Sequence, residues 1–162
     1  MSIILIGMPS CGKSTLGVLL AKKLGYRFID SDLLIQEREG KLLHEIISEG
    51  GNDCFLEIEE QVNASITDEK AVIATGGSVV YSEPAMENLK KLGKVVYLKL
   101  PFEEMCRRLG DYSHRGVVLK KGSTLADMYA ERAPLYEKYA DLTVDVCNAQ
   151  LSDSLDKICQ AL

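Results

Sequence analysis

A glycine-rich segment near the N-terminus restricts the possible folds of this chain more than any other feature. Residues 7–14 read GMPSCGKS and match the pattern G-x-x-x-x-G-K-[ST]. The segment follows the apolar run 3–6 and precedes leucines at helical spacing. In such a strand–loop–helix unit, backbone N–H groups turn inward to hold a phosphate, and the helix N-terminus adds partial positive charge. The sequence therefore predicts a phosphate-binding loop in an α/β protein.

The motif gives this loop a nucleotide-binding role. Lys13 is expected to reach the β- and γ-phosphates, and the Ser14 hydroxyl is expected to ligate Mg²⁺. The alternative is a glycine-rich turn that binds nothing. The predicted nucleotide-binding residues of the loop are Gly7, Ser10, Cys11, Gly12, Lys13, Ser14 and Thr15.

Short apolar runs alternate with longer segments of helical period, which is typical of a parallel sheet joined by helical crossovers. The predicted strands are 3–6, 27–30, 71–74, 95–100 and 142–146. Two apolar stripes indicate helices that should face the sheet, namely Leu16, Leu19, Leu20 and Leu24, and Phe55, Ile58, Val62 and Ile66. Further helices are predicted at 83–92, 102–109, 124–139 and 150–162, with a capping signal at 124–127.

Residues 110–122, which read GDYSHRGVVLKKG, contain three glycines and no helical apolar stripe. We expect a mobile loop there. The length of 162 residues fits one domain, since no linker divides the chain. The prediction is thus a single domain over 1–162 with helices on both faces of its sheet.

Composition excludes several classes of protein. With 19 basic and 24 acidic residues the chain carries a net charge of −5, which disfavours a nucleic-acid partner. No apolar run approaches the roughly 18 residues of a membrane span, so no membrane association is expected. Five scattered cysteines without a C-x-x-C pair indicate reduced thiols, and we expect a cytoplasmic protein.

Two carboxylates follow the second predicted strand. The absence of D-x-x-G after the loop and of N-K-x-D argues against a GTPase, and the chain is too short for larger ATPase classes. Asp30 and Asp32 instead lie at the strand edge where doubly wound sheets bind ligands. Asp30 suits the water shell of the metal and Asp32 suits an acceptor hydroxyl. The alternative is that Ser31 or Asp32 only caps the next helix.

Four motifs in order resemble those of the shikimate kinases. They are the loop through Thr15, the D-S-D segment 30–32, the glycine cluster ATGGSVV at 74–80 with the loop arginine Arg115 after it, and a segment at 132–141 that resembles R-x-P-L-Y-x-x-x-A-D. The resemblance implies a five-stranded parallel sheet of order 2-3-1-4-5 and a lid at 110–122 that closes over ATP. It also implies γ-phosphoryl transfer to a small carboxylated alcohol, with shikimate, giving shikimate 3-phosphate, as the leading acceptor.

The resemblance also implies roles for individual residues. Lys13 and Arg115 would stabilise the transferring phosphoryl group, Ser14 and Asp30 would hold Mg²⁺, and Asp32 would orient or deprotonate the acceptor hydroxyl. Helices within 31–66 would bind the acceptor, and the chain is expected to be a monomer. Arg108 would stack on adenine, although a solvated helix residue beside Arg107 is an equal alternative. The implied acceptor-binding residues are Asp32, Phe55, Leu56, Glu59, Gly76, Gly77 and Arg132.

Three positions depart from the family pattern. Leu56 stands where the family motif F-R-x-x-E has a carboxylate-binding arginine, Ser78 replaces a glycine, and Gly116 replaces the lid proline. Arg38 and Lys41 are candidates for a cation that replaces this arginine. The alternative for Leu56 is that it only extends the buried face of its helix. Two other functions stay open, a kinase of the same fold for a different alcohol and a nucleotide-binding regulator without transfer activity.

Overall fold

The protein is described by a computed structural model that covers residues 1–147 and 150–162. The strands are β1 (Ser2–Ile6), β2 (Arg27–Asp30), β3 (Ala71–Ala74), β4 (Gly93–Lys99) and β5 (Leu142–Asp145). The helices are α1 (Lys13–Leu24), α2 (Ser31–Glu39), α3 (Leu43–Ser65), α4 (Glu83–Leu92), α5 (Phe102–Leu109), α6 (Leu125–Tyr139) and α7 (Leu151–Ala161). A 3₁₀ turn, Val79–Tyr81, was not predicted from the sequence.

The five strands form one parallel sheet of order β2-β3-β1-β4-β5, and the predicted order is confirmed. Ile4 of β1 is in register with Ile73 on one side and Val95 on the other. All residues of β1 and β3 are buried, as expected for parallel strands covered on both faces. Because all strands run the same way, the P-loop after β1, Asp30 at the end of β2 and Thr75 after β3 meet at one edge.

Local signals explain several helix boundaries. Thr124 caps α6 by accepting a hydrogen bond from the Asp127 N–H, and the Asp127 carboxylate accepts one from the Thr124 N–H. The capping signal predicted there is therefore confirmed. Ser82 caps α4 in a similar way through the Ala85 N–H, with Pro84 in the first turn.

The apolar stripe of α3 does not face the sheet as predicted. Phe55 and Val62 belong to a second cluster, here called the small core, which consists of Ile35, Leu43, Ile46, Phe55, Val62 and Val118. Helix α3 packs against α2 and α4, and only Ile66 at its end joins the main core. The period of a stripe identifies a buried face but not the element that buries it.

Two smaller differences have local causes. In α1, Leu16 and Leu20 are buried against the sheet, whereas Leu19 is 37% exposed because it lies at the side of that face. Helix α3 is kinked at Gly51, whose φ of 80° only glycine adopts readily. Within the described residues, no helix is both long and apolar enough to cross a membrane.

Candidate active site

The loop between β1 and α1 has the backbone shape of an anion-binding nest. Ser10 and Gly12 have φ values of 64° and 93°, which turn successive N–H groups toward one side. A Cβ at Gly7 would lie 2.7 Å from the carbonyl oxygen of Leu98, so the loop can pass over β4 only with glycine there. Helix α1 begins directly after the loop, which adds its N-terminal dipole to the nest.

Lys13 holds its charge inside this loop. Its Nζ donates hydrogen bonds to the carbonyl oxygens of Gly7 at 2.9 Å and Met8 at 2.8 Å. The Cys11 Sγ lies 3.6 Å from the same nitrogen. The lysine is buried, so its ammonium is fixed inside the loop rather than moving in solvent.

Ser14 and Asp30 join two elements at the edge of the sheet. The Ser14 hydroxyl donates a 2.7 Å hydrogen bond to Asp30 Oδ2, while Asp30 Oδ1 accepts a 3.0 Å bond from the Asp32 N–H. The cap of α2 is therefore Asp30 and not Ser31 or Asp32, because its side chain accepts from the first turn.

This oxygen pair fits Mg²⁺. A hydroxyl and a carboxylate are hard ligands, and Mg²⁺ in kinases takes one or two such groups and completes its shell with phosphates and water. No cluster of three or more His, Cys, Asp or Glu side chains that could cage a metal occurs in residues 1–147 and 150–162. Ser14 and Asp30 thus suit a metal that arrives with a nucleotide.

A central cavity of about 280 Å³ extends from the P-loop to α3 and α6. Among the predicted site residues, Gly7, Cys11, Asp30, Leu56 and Arg108 do not line it. Those that do are Ser10, Gly12, Lys13, Ser14, Thr15, Asp32, Phe55, Glu59, Gly76, Gly77, Arg115 and Arg132. It is also lined by Pro9, Leu43, Thr75, Ser78, Gly116, Val117 and Val118. None of Pro9, Leu43 or Val117 carries a sequence signal for a ligand contact.

Asp32 and Glu59 bring two carboxyl groups to the middle of the cavity. Burial is the main cause that raises the pKa of Asp32 to about 6 and the pKa of Glu59 to about 7. Ser78 donates a 2.6 Å hydrogen bond to Glu59 Oε2. Asp32 Oδ1 and Glu59 Oε1 have no hydrogen-bond partner among the described residues. A carboxylate with a pKa near neutrality and an unpartnered oxygen is suited to accept a proton.

Gly76 and Gly77 lie directly against these groups. A Cβ at Gly76 would lie 2.8 Å from Asp32 Oδ1 and would overlap Glu59 Oε1. A Cβ at Gly77 would lie 2.9 Å from Nη1 of Arg132. Only glycine lets the backbone after β3 approach so closely, which explains the glycine pair.

Arg132 is buried in the wall of the central cavity. Its Nη2 donates a 2.7 Å hydrogen bond to the carbonyl oxygen of Val118, and its Nε donates a 3.3 Å bond to the Tyr81 hydroxyl. Tyr136 donates to the carbonyl oxygen of Gly77 at 2.5 Å and supports the floor beside it. The guanidinium is thereby positioned by the lid, the 3₁₀ turn and α6. The sequence carried no signal for Tyr81.

The predicted lid contains no helix or strand and is packed against α3. Val118 is buried in the small core, and Asn52 donates a 2.8 Å hydrogen bond to the carbonyl oxygen of Leu119. Gly116 lies so close to Leu43 that a Cβ would overlap that side chain. These contacts bring Arg115 to the wall of the central cavity.

Leu56 lines a neighbouring cavity of about 530 Å³, here called the outer cavity. This cavity lies between the kink of α3, Tyr81 and lid residues 118–121. The candidate substitute cations point elsewhere, since Arg38 donates to Gln61 at 2.7 Å and Lys41 forms an ion pair with Glu49. Neither of them lines the central or the outer cavity.

Arg108 is held at the end of β5. Its Nε donates to Glu104 at 2.8 Å and its Nη2 donates to the carbonyl oxygen of Val146 at 3.2 Å. The side chain is 29% exposed, so it is neither a free solvated residue nor part of the central cavity. Its predicted stacking on adenine stays a prediction.

Comparison with known proteins gives a consistent result. The shikimate kinase family model matches residues 9–162. Shikimate kinase of Clostridium botulinum (strain Okra / Type B1) is 41% identical over 99% of this chain and 95% of its own length. The shikimate kinase of Chlorobium chlorochromatii is 35% identical over 96% of this chain and 87% of its own length. The structure of shikimate kinase from Acinetobacter baumannii in complex with shikimate superposes with a TM-score of 0.89 at 34% identity, covering 99% of this chain and 91% of that one. The four sequence motifs, the strand order and these matches agree, and the chain belongs to the shikimate kinase family.

Proposed function

We propose that this protein transfers the γ-phosphoryl group of ATP to a hydroxyl of shikimate and releases ADP and shikimate 3-phosphate. The observation that carries this proposal is the set of groups that line one cavity. Lys13 and Arg115 suit phosphoryl oxygens, Asp32 suits a hydroxyl, and Arg132 suits a carboxylate. The shikimate complex of the Acinetobacter baumannii relative supports the choice of acceptor.

The P-loop and the lid suit the transferring group. The P-loop nest and Lys13 bind the β- and γ-phosphates, and Arg115 approaches from the lid to neutralise charge on the phosphoryl oxygens. Ser14 and Asp30 hold Mg²⁺, which supplies further neutralisation of phosphate charge when it is bound. The lid excludes water, so transfer to the acceptor is favoured over hydrolysis.

Asp32 acts as the general base for the acceptor hydroxyl. Its unpartnered Oδ1 accepts the hydroxyl proton as the acceptor oxygen forms its bond to the γ-phosphorus, and the bond from phosphorus to the ADP oxygen breaks in line. A pKa raised to about 6 makes this carboxylate a stronger base than an exposed aspartate while it stays ionised at neutral pH. Arg132 and the backbone at Gly76 and Gly77 bind the carboxylate of shikimate.

The monomeric state stays a prediction. The cytoplasmic location and the lack of a nucleic-acid partner stay predictions from the charge and the composition.

A second candidate function is the phosphorylation of a different small alcohol. It is favoured by one observation, that Leu56 stands where the family motif has a carboxylate-binding arginine and is an uncharged residue lining the outer cavity. An ADP-release assay with Mg-ATP and a panel of small alcohols separates the two candidates. We expect shikimate to give the highest kcat/KM, and Lys13→Ala to abolish that turnover. A neutral alcohol that surpasses shikimate would favour the second candidate, and ATP binding without turnover of any alcohol would favour a regulator.

A further inference from the structure

The central cavity has few positive charges that could bind an acceptor. In the described part of the chain, the cations that line this cavity are Lys13, Arg115 and Arg132. In the proposed function the first two bind phosphate oxygens, which leaves Arg132 for an acceptor carboxylate. Two of the nitrogens of Arg132 already donate to Val118 and Tyr81. A carboxylate bound there would therefore face only part of one guanidinium.

A second cation lies near the Tyr81 ring. Lys120 Nζ is 5.7 Å from the centre of the Tyr81 ring, and Arg132 Cζ is 5.3 Å from the same centre. Lys120 follows Val118 by two residues, and Val118 lines both the central and the outer cavity. The ring of Tyr81 thus connects the buried arginine to a lysine on the lid.

Lys120, Tyr81 and Arg132 already interact with one carboxylate, that of Glu131. The Glu131 carboxylate accepts a 2.7 Å hydrogen bond from Lys120. That bond, with smaller contributions from the Tyr81 hydroxyl and the Arg132 charge, lowers the pKa of Glu131. The Lys120 and Glu131 side chains are 65% and 41% exposed, so their ion pair is screened by solvent and is easily exchanged.

From this arrangement we propose that Lys120 is a specificity-determining residue that leaves Glu131 and supplies the second positive charge for the acceptor carboxylate. The proposal rests on the proposed function, since it concerns the binding of shikimate. Because Lys120 is on the lid, its contact with the acceptor forms when the lid is packed on α3. Recognition of the acceptor and closure over the phosphates are then linked through one segment.

The adjacent Lys121 offers a matched control. It also lines the outer cavity, is also exposed and carries the same charge, but in the described part of the chain the ion pair with Glu131 and the contact with the Tyr81 ring are made by Lys120. Lys120→Met keeps the aliphatic stem and removes the charge, and Lys121→Met does the same one position later. Lys120→Arg restores the charge at the tested position.

The test is steady-state kinetics of these three variants and the wild type with shikimate and Mg-ATP. We expect Lys120→Met to raise KM for shikimate about five- to tenfold, with kcat and KM for ATP within about twofold of the wild type. Lys120→Arg should restore KM, and Lys121→Met should leave it within about twofold. An equal KM in the two methionine variants, or a fall in kcat without a change in KM, would overturn the role of Lys120. If the wild type does not phosphorylate shikimate at all, the proposed function fails and this inference fails with it.

Discussion

Ser14 and Asp30 are joined by a 2.7 Å hydrogen bond that connects the first turn of α1 to the end of β2. The same aspartate caps α2 through the Asp32 N–H, so one side chain supports both the proposed metal site and the helix that carries the proposed base. These two roles can be separated, because an amide oxygen caps a helix but is a poorer metal ligand than a carboxylate.

Asp30→Asn should therefore raise the Mg²⁺ concentration for half-maximal activity by about tenfold or more with little change in melting temperature. Asp30→Ala should raise it as well and should also destabilise the fold by about 1 kcal/mol through loss of the cap. Magnesium titrations and thermal denaturation of both variants measure these effects. An unchanged magnesium requirement in Asp30→Asn would remove this residue from the metal site.

Asp32→Asn should lower kcat by about 10²- to 10⁴-fold and leave the Kd for ATP nearly unchanged, because the amide cannot accept the hydroxyl proton. In the wild type, kcat/KM should fall as the pH drops below about 6, where Asp32 becomes protonated. The pH profile of kcat/KM and nucleotide titrations check both statements. A profile that is flat between about pH 5 and 7 would show that this carboxylate does not act as the base.

Glu59→Gln should change how stability depends on pH. Burial raises the pKa of Glu59 to about 7, so the folded protein holds this proton more tightly than the unfolded chain does. The contribution of Glu59 to the free energy of unfolding therefore decreases as the pH rises from about 4.5 toward 7. Above that range the ionised, buried carboxylate destabilises the protein. Relative to the wild type, Glu59→Gln should be more stable by at least ~1 kcal/mol at about pH 8 and nearly equal at about pH 4. Urea denaturation of the ligand-free protein at both pH values measures the difference, which would be the same at both if Glu59 had an ordinary pKa.

Leu56→Arg should place a guanidinium in the outer cavity, which Tyr81 also lines. If shikimate is the acceptor, KM for shikimate should fall by about tenfold, with a smaller change in KM for ATP. Leu56→Met, which nearly preserves volume, is the control and should leave both values near those of the wild type. If the natural acceptor has no carboxylate, the arginine should instead impair its turnover, because an unpaired cation would lie in the site.

The effects of Leu56→Arg and Lys120→Met should not add. Once an arginine at position 56 supplies the second charge, removal of the lysine charge should raise KM for shikimate less than it does in the wild-type background. Kinetics of the double variant provide this comparison. Additive effects would mean that the two side chains act on different parts of the acceptor.

The sequence predicts the P-loop, the part of the site that is formed mainly by backbone groups. Gly7, Gly12 and Lys13 specify the loop because its shape requires glycine and its chemistry requires a cation. The alternating apolar runs predict a parallel sheet, and the family resemblance implies its strand order. The family match supports the predicted kinase class as well.

The remaining parts depend on contacts between distant segments. Periodicity showed that Phe55 is buried but could not show that it faces Leu43 and Val118 instead of the sheet. The place of Tyr81 near two cations depends on a 3₁₀ turn with no sequence signature. The resemblance implies that Leu56 contacts the acceptor, but the face of α3 that carries Leu56 lines the outer cavity.

The overlap that any side chain at position 116 would have with Leu43 limits how this lid can be exchanged with that of a relative. A lid with a proline at this position would be pushed away from α3 unless residue 43 became smaller at the same time. The two positions therefore constrain each other, and a chimera that takes the loop without the first turn of α3 should bind nucleotide but close poorly over it. A smaller residue 43 is the condition for any side chain at position 116.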